Sequence, residues 1–348
     1  MSSDNKDTQD TEKPEENQII TRGVDGITME EIPDDKIEYL SADEDLTADL
    51  PDDTDTINLI HLKIRALEDL NLIRFTKLNS LCLRQNLIES ISEVDSLPVE
   101  TMEDLDFYDN RIKHISKYVN KLVHLKSLDL SFNNIKHIKN IDKLTELENL
   151  YFVQNKIDKI EGLNSLHNLK NLELGGNGIT QIEPGCLDGL DKLEEIWLGK
   201  NYIPRLINLN PLKSLKILSI QSNKLHNIEG LEELTNLEEL YLSHNFISSI
   251  EGLENNTKLN TLDITSNRLT KLDNLSHLTE LTDIWASFNK IDQSFESLGK
   301  ELGSLPKLET IYLEGNPIQL QNETSYRRKL ILNLGPSLQK IDATYITG

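Results

Sequence analysis

A short pattern of apolar residues and asparagine recurs along most of this chain of 348 residues. Eleven close variants of Leu-x-x-Leu-x-Leu-x-x-Asn-x-Ile lie between residues 78 and 318, most often 22 residues apart. One copy reads Leu237-x-x-Leu240-x-Leu242-x-x-Asn245-x-Ile247. Because a unit of this length cannot bury its own leucines, the pattern predicts that successive units stack on one another as a solenoid.

Each unit predicts a short strand followed by a tight turn and a return segment, which is the pattern of a leucine-rich repeat. Side chains alternate along a strand, so Leu240 and Leu242 should face the core while Tyr241 faces outward. The asparagine amide both donates and accepts, and it should satisfy backbone groups that the turn leaves unpaired. These ladder asparagines are Asn86, Asn110, Asn133, Asn155, Asn177, Asn201, Asn223, Asn245, Asn267, Asn289 and Asn316.

The expected fold class is an α/β solenoid, a leucine-rich-repeat horseshoe of about 12 repeats of 22 residues. Its strands should form a concave parallel β-sheet, and short 3-10 or helical turns should form the convex side. An imperfect first repeat is assigned to residues 57–67, with Arg65 at the asparagine position. After Asn316 a helix is predicted from Glu323 to Asn333, as part of a C-terminal helical cap that shields the last repeat.

Residues 1–56 differ in composition from the repeats, with 19 Asp and Glu against 4 Lys and Arg. High charge with few apolar residues predicts an acidic disordered N-terminal tail. The predicted segments are therefore the tail at 1–56, the solenoid at 57–318 and the cap at 319–348. Neither a signal peptide nor an apolar run of spanning length is recognised, so no membrane partner is expected. With Cys82 and Cys186 as its two cysteines, the chain cannot close its ends with disulfides, which favours the nucleus or cytoplasm.

The residues that could carry catalysis form no recognisable constellation. The eight histidines are scattered without metal-ligand spacing, and the carboxylates include no isolated pair in opposed environments. The glycine-rich stretch at 175–178 is explained by the strand and turn of one repeat. The sequence therefore predicts a protein that is not an enzyme and that uses no cofactor or metal.

The residue between the paired leucines of each repeat should form a central column along the exposed side of the sheet. Both tryptophans of the chain and three of its nine tyrosines lie in this column, interleaved with acids. A contiguous row of exposed aromatic residues is typical of protein-binding surfaces. The column reads Cys82, Asp106, Asp129, Tyr151, Glu173, Trp197, Ser219, Tyr241, Asp263, Trp285 and Tyr312.

Four columns on this side of the sheet together hold ten acidic residues and two Lys or Arg. Such a surface repels nucleic acid, because binding phosphates needs the opposite charge. We expect a folded protein partner with a basic and partly apolar patch. The predicted aromatic anchors are Tyr151, Trp197, Tyr241, Trp285 and Tyr312, and the acids predicted to pair with Lys or Arg are Asp129, Glu173, Asp263 and Asp283.

From residue 57 to 348 the chain resembles the leucine-rich-repeat regulatory subunit of protein phosphatase 1 (regulatory subunit 7). The resemblance lies in the 22-residue period, in Ile-x-x-Ile-x-Gly-Leu between strands, and in the ending Asn-Pro-x…Tyr-Arg-Arg-Lys-Leu. It implies binding of the phosphatase catalytic subunit through the concave face, in a ternary complex with inhibitor 3, by a chain that is a monomer when free. It further implies a role in maturation, activity or nuclear delivery of the phosphatase. Carried over by position, the binding residues are Asp129, Tyr151, Glu173, Trp197, Asp263, Asp283, Trp285 and Tyr312.

Two other functions are compatible with leucine-rich repeats. A protein scaffold of a ribonucleoprotein, of the spliceosomal type, would accept the acidic surface but is built from far fewer repeats. A GTPase-activating protein would need longer repeats with a full convex helix and a catalytic arginine. Arg84 is the only arginine on the predicted surface, so this third function has little support.

Overall fold

The computed structural model describes residues 21–22, 28–29 and 45–346. The chain divides into two units, Met1–Ala42 and Asp43–Gly348. In the first unit, strand β1 (Thr21–Arg22) pairs antiparallel with β2 (Thr28–Met29). Most of the predicted tail lies outside the described residues, so its disorder and the predicted segment boundaries stay predictions.

Twelve short strands, one per repeat, lie side by side and parallel in the second unit. Each is three residues long with a buried middle residue, so that Leu240 pairs with Leu218 and Leu262 in one apolar row. This confirms the predicted parallel repeat solenoid. The strands are β3 (Thr56–Asn58), β4 (Ser80–Cys82), β5 (Asp104–Asp106), β6 (Ser127–Asp129), β7 (Asn149–Tyr151), β8 (Asn171–Glu173), β9 (Glu195–Trp197), β10 (Ile217–Ser219), β11 (Glu239–Tyr241), β12 (Thr261–Asp263), β13 (Asp283–Trp285) and β14 (Thr310–Tyr312).

The ladder asparagines bond each repeat to its neighbours, as the sequence predicts. Asn245 Nδ2 donates to the carbonyl oxygen of Ile220 in the preceding repeat at 3.1 Å and to that of Leu242 in its own repeat at 3.0 Å. Its Oδ1 accepts from the backbone N–H of Leu225 at 3.0 Å. The same three partners recur along the chain, so one buried side chain satisfies backbone groups of two repeats.

The side of each repeat away from the sheet is made of tight turns. Helices of the 3-10 type close the early repeats, at Glu68–Leu70, Leu72–Arg74, Ser92–Ser96 and Lys117–Lys121. Later repeats use shorter turns, in which Leu144 N donates to Ile141 O at 3.0 Å. Gly252 adopts a φ of +75°, and a Cβ there would lie 2.5 Å from Ile228 O, so this corner requires glycine.

The first repeat lies in a different register from the predicted one. Ile57 of β3 pairs with Leu81, so Leu62, not Arg65, occupies the asparagine position. The predicted assignment was wrong by three residues because it placed Ile60 in the core, where the structure leaves it 47 % exposed. The buried set of this repeat is Ile57, Leu59, Ile64 and Leu67.

Residues before β3 pack against this first repeat. Helix α1 (Asp45–Ala48) places the Thr47 hydroxyl 2.9 Å from Leu70 O, to which it donates. The Arg74 guanidinium donates to Leu50 O at 2.9 Å. This short segment therefore covers the apolar end of the solenoid next to the first repeat.

The last repeat is covered by three further helices and a strand pair. Helix α2 (Phe295–Leu302) fills the long spacing between the last two ladder asparagines, and α3 (Pro317–Leu320) follows the final one. Helix α4 (Tyr326–Asn333) begins three residues later than predicted, because a turn closed by Ser325 N–H on Asn322 O precedes it. Strand β15 (Lys340–Ile341) pairs with β14 in parallel. Strand β16 (Thr344–Tyr345) pairs with β15 in the antiparallel direction and ends the sheet.

Candidate protein-binding surface

The outward side chains of the sheet form one surface, which we call the sheet face. It comprises the first and third residues of strands β4 to β14 and the second and third residues after each strand. Strand pairing places Asp129 beside Tyr151, Tyr151 beside Glu173, and Glu173 beside Trp197. The same register continues to Tyr312. The predicted central column is therefore one continuous row of residues.

Four aromatic side chains of this column contact one another in sequence, and we call them the aromatic row. Ring centroids are 6.1 Å apart between Trp197 and Tyr241, 6.2 Å between Tyr241 and Trp285, and 6.4 Å between Trp285 and Tyr312. These separations lie in the range of favourable aromatic pairs. The predicted anchors at the C-terminal half of the face thus form one apolar surface.

The rings of the aromatic row lean over the residues that lie between them. Ser219, between Trp197 and Tyr241, is 1 % exposed, and Asp263, between Tyr241 and Trp285, is 6 % exposed. Asp263 Oδ1 accepts from the backbone N–H of Thr265 at 3.0 Å. The expectation that Asp263 pairs directly with a partner's Lys or Arg does not fit this burial, because the rings cover its carboxylate.

Acidic side chains of the first column hold two of the rings in place. The Tyr241 hydroxyl donates to Glu239 Oε2 at 2.5 Å, and Trp197 Nε1 donates to Glu195 Oε2 at 3.2 Å. Burial, followed by the hydrogen bond to Glu239, raises the pKa of the Tyr241 hydroxyl well above its usual value. Trp285 Nε1 is buried without a hydrogen-bond partner in the described part of the chain. The Trp285 ring therefore presents its apolar part to a bound protein, and its N–H stays unsatisfied in the free chain.

The N-terminal half of the sheet face is an acidic cleft that includes Asp129, Tyr151 and Glu173. Burial raises the pKa of the Asp129 carboxyl, and burial followed by the nearness of Asp129 and Glu195 raises that of Glu173. Both acids are therefore partly desolvated. A cation from a partner would relieve this, since an opposite charge nearby favours the ionised carboxylate.

Arg84 neutralises part of the cleft from within the chain. Its guanidinium bonds Asp106, and its Nη2 lies 3.1 Å from Asp129 Oδ2. Glu173 has no such partner among the residues described. Asp283, the remaining predicted acid, lies at the start of β13 and accepts from the Thr282 hydroxyl at 2.7 Å. The structure thus separates the predicted acids into one paired with Arg84, one covered by rings, and two that stay open to a partner.

Two exposed phenylalanines were not predicted as site residues. Phe132 and Phe288 are 40 % and 57 % exposed, and both have a φ of 55°. The residues before the other ladder asparagines share this left-handed conformation, for example Gln85 at 56° and His244 at 58°, so it is a property of the repeat turn, and it is their exposure that distinguishes these two rings. Their position, directly before the ladder asparagine, is the sequence signal that could have identified them.

Within the described residues we also looked for side chains that could bind a metal ion and for helices that could cross a membrane. No group of three or more His, Cys, Asp or Glu side chains there could hold a metal ion. None of the helices that the structure describes is long and apolar enough to cross a membrane.

Comparison with known families identifies the same repeats. A family model described as "Leucine-rich repeat" matches residues 108–231. A second, described as "Leucine Rich repeats (2 copies)", matches residues 213–255 and 235–277. Among solved structures, an internalin (inlF) from Listeria monocytogenes superposes with a TM-score of 0.69 and 20% identity, covering 88% of this chain and 84% of that one. At this identity the likeness supports the fold alone.

Curated proteins include a far more similar relative. "Protein phosphatase 1 regulatory subunit SDS22" of Saccharomyces cerevisiae is 77% identical over 320 residues, which cover 92% of this chain and 95% of that protein. This match is longer than the segment 57–348, so it extends into the acidic N-terminal residues. "Protein phosphatase 1 regulatory subunit 7" of Mus musculus is 54% identical over 46 residues, which cover 13% of this chain and 12% of that protein.

Proposed function

This chain belongs to the SDS22 family of protein phosphatase 1 regulatory subunits, and we propose that it binds the phosphatase catalytic subunit through its sheet face. Membership of this family of regulatory subunits confirms the resemblance drawn from the sequence. It also confirms the prediction that the protein is not an enzyme, since the family is non-catalytic. The ribonucleoprotein scaffold loses its support, because twelve strands far exceed the few repeats of that class.

The aromatic row is the observation that carries this proposal. It offers four large rings in mutual contact, two of them fixed by carboxylates, beside an acidic cleft. Rigid aromatic residues that are ordered before binding contribute affinity at a low entropic cost. The cleft adds electrostatic steering toward a basic patch. A folded protein with neighbouring apolar and basic areas matches this arrangement.

Capture of the phosphatase on the immobilised full chain tests the proposal. Trp285→Ala combined with Tyr312→Ala should weaken binding of the catalytic subunit by about 2 kcal/mol or more, which is roughly thirtyfold. Ile73→Ala combined with Leu332→Ala is the matched control, because these side chains are 70 % and 72 % exposed and lie outside the sheet face. Equal capture by the double variant and the parent, with unchanged thermal unfolding, would contradict the proposal.

The resemblance supports four finer proposals about the complex. Inhibitor 3 would join the chain and the catalytic subunit in a ternary complex, and the free chain would be a monomer. The complex would be found in the nucleus and the cytoplasm, where it acts in maturation or activity control. Size-exclusion chromatography with light scattering, on the free chain and on mixtures, distinguishes a 1:1:1 assembly from competition. Fluorescent tagging at the genomic locus tests the location.

A further inference from the structure

The residue that follows the ladder position in each repeat forms a second column, at the edge of the sheet where the strands end. In the repeats of β3 to β13 this column holds six cations and no acid. All six are exposed. They are Lys63, Arg111, Lys156, Lys224, Arg268 and Lys290. We call this row the carboxyl-edge column, and its charge is opposite to that of the sheet face beside it.

Backbone hydrogen bonds fix the carboxyl-edge column in register. The N–H groups of Lys224, Phe246 and Arg268 donate to carbonyl oxygens of the preceding repeats at 2.9, 2.8 and 2.8 Å. Each member is therefore held one repeat from the next, about 5 Å away, as are neighbouring strands. The column is a rigid surface and not a set of independent loops.

Aromatic and cationic residues alternate in this column from Tyr202 to Arg268, and a further cation follows. Tyr202, Lys224, Phe246, Arg268 and Lys290 follow one another on five successive repeats. The Arg268 guanidinium carbon lies 4.5 Å from the centroid of the Phe246 ring, and Lys224 Nζ lies 5.6 Å from it. Cation–π contacts of this kind hold the charged groups beside the ring without neutralising them.

The cations of this column lack acidic partners, unlike those on the opposite edge. Within residues 45–346, no carboxylate lies within 4.0 Å of Lys224, Arg268 or Lys290. On the opposite edge, lysines pair with glutamates of the preceding repeat at 2.7 or 2.8 Å. These pairs are Lys126–Glu103, Lys170–Glu148 and Lys216–Glu194. Cations left unpaired in a chain of net charge −23 are available to an external acidic group.

We propose that the carboxyl-edge column from Tyr202 to Lys290 binds an extended acidic peptide segment of a partner protein. Lys224 and Arg268 are two repeats apart, about 10 Å, which is about the length of one three-residue turn of an extended polyproline II segment. Acidic residues three positions apart then lie on one face of the peptide and match the two cations, while the Phe246 ring, between the cations, and the Tyr202 ring, before Lys224, contact the intervening part of the peptide. A short peptide with spaced charges suits this site better than a nucleic acid, whose dense phosphates the neighbouring acidic sheet face repels.

Fluorescence anisotropy with the full chain tests this inference. The probe is a fluorescein-labelled peptide of twelve residues with Glu at every third position and Phe or Ser between. Saturable binding should weaken at least tenfold in the double variant Lys224→Ala and Arg268→Ala, and should weaken as salt is raised. Lys170→Ala with Lys216→Ala, on the opposite edge, makes the same charge change and should leave binding unchanged. Trp285→Ala should also leave it unchanged, so the result does not depend on the phosphatase proposal.

Three outcomes would overturn the inference. These are the absence of saturable binding, an equal loss in the opposite-edge variant, and tighter binding of a twelve-nucleotide oligothymidylate than of the peptide. Thermal unfolding of each variant checks the fold. If the alanine variant unfolds early, Lys224→Gln with Arg268→Gln replaces it, because glutamine retains most of the side-chain length.

Discussion

Tyr241 and Trp285 lie on β11 and β13, which are not neighbours, yet their ring centroids are 6.2 Å apart. Two strand spacings amount to about 9.6 Å, so the rings must incline toward each other. Asp263, on the strand between, is covered as a result and is 6 % exposed. A partner therefore meets the rings first, and this carboxylate influences binding through their position.

Replacement of Asp263 should lower the stability of the fold, because its carboxylate bonds the backbone and is covered by the rings. Asp263→Ala removes the acceptor of the Thr265 N–H group, and we expect the free energy of unfolding to fall by about 1–3 kcal/mol. Asp283→Ala, at a more open position of the same sheet face, should cost less. Urea unfolding of both variants checks this order. A larger loss for Asp283→Ala would contradict the structural role given to Asp263.

The asparagine ladder makes a strong prediction about stability. Asn245→Ala removes hydrogen bonds to Ile220 O and Leu242 O and leaves the buried Leu225 N–H without its acceptor. We expect a loss of about 2–5 kcal/mol, because buried backbone groups stay unsatisfied. Leu62→Asn, at the same position of the first repeat, is the contrast. Leu62 is 42 % exposed, so urea unfolding should detect a change below about 1 kcal/mol there.

Glu173 should make stability depend on pH in an unusual direction for a carboxylate. Burial raises its pKa in the fold above the ordinary value of 4.5, so the folded chain holds the proton more tightly than the unfolded chain. Stability contributed by this group is present at low pH and is lost as pH rises through the raised pKa. Glu173→Gln should therefore be more stable than the parent at pH 7, and the difference should shrink toward pH 4.5.

Thermal unfolding at several pH values measures this difference. Glu309→Gln, at an exposed glutamate, is the control and should show no such trend. A Glu173→Gln variant that is less stable than the parent at pH 7 would contradict the burial of an unpaired charge.

Helices α2 and α4 contact each other closely at Gly299, where we expect alanine to be less stable than glycine although the residue lies inside a helix. A Cβ at Gly299 would lie 2.8 Å from Asn333 O and 2.9 Å from Asn333 Cβ. Alanine favours helix by about 1 kcal/mol over glycine, but this overlap forces the two helices apart at a typical cost of 1–3 kcal/mol. Gly299→Ala should thus lower the melting temperature, whereas exposed Lys300→Ala should not. A higher melting temperature for Gly299→Ala would show that the helices can separate freely.

The repeat, the ladder and the central column could be predicted from the sequence because each depends on contacts that recur with the chain period. The register of the first repeat could not, because Leu62 replaces the asparagine that marks the position. An alignment on buried residues would have found it, since Ile57, Leu59, Ile64 and Leu67 have the spacing of Leu81, Leu83, Ile88 and Ile91. Helix α2 was missed because it lies in the one long spacing, where no repeat residue constrains the chain.

The position of the site could be predicted from the sequence, but the burial of its individual side chains could not. Periodicity assigns Asp263 and Trp285 to the same exposed column, but side-chain size decides which of them covers the other. The burial of Ser219 beneath Trp197 and Tyr241 has the same cause. The exposure of Phe132 and Phe288, by contrast, could have been predicted from their position directly before the ladder asparagine.

Because the asparagine ladder joins every repeat only to its two neighbours, the backbone positions that carry any two rings are separated by a whole number of strand spacings. A partner that contacts Trp197 and Tyr312 together must place its own contact residues at the spacing that the strands between them fix. Duplication of one repeat between them would leave each ring chemically unchanged and shift half of the surface by about 4.8 Å. Such a chain would fold, but it would present a surface that no longer matches the partner's dimensions.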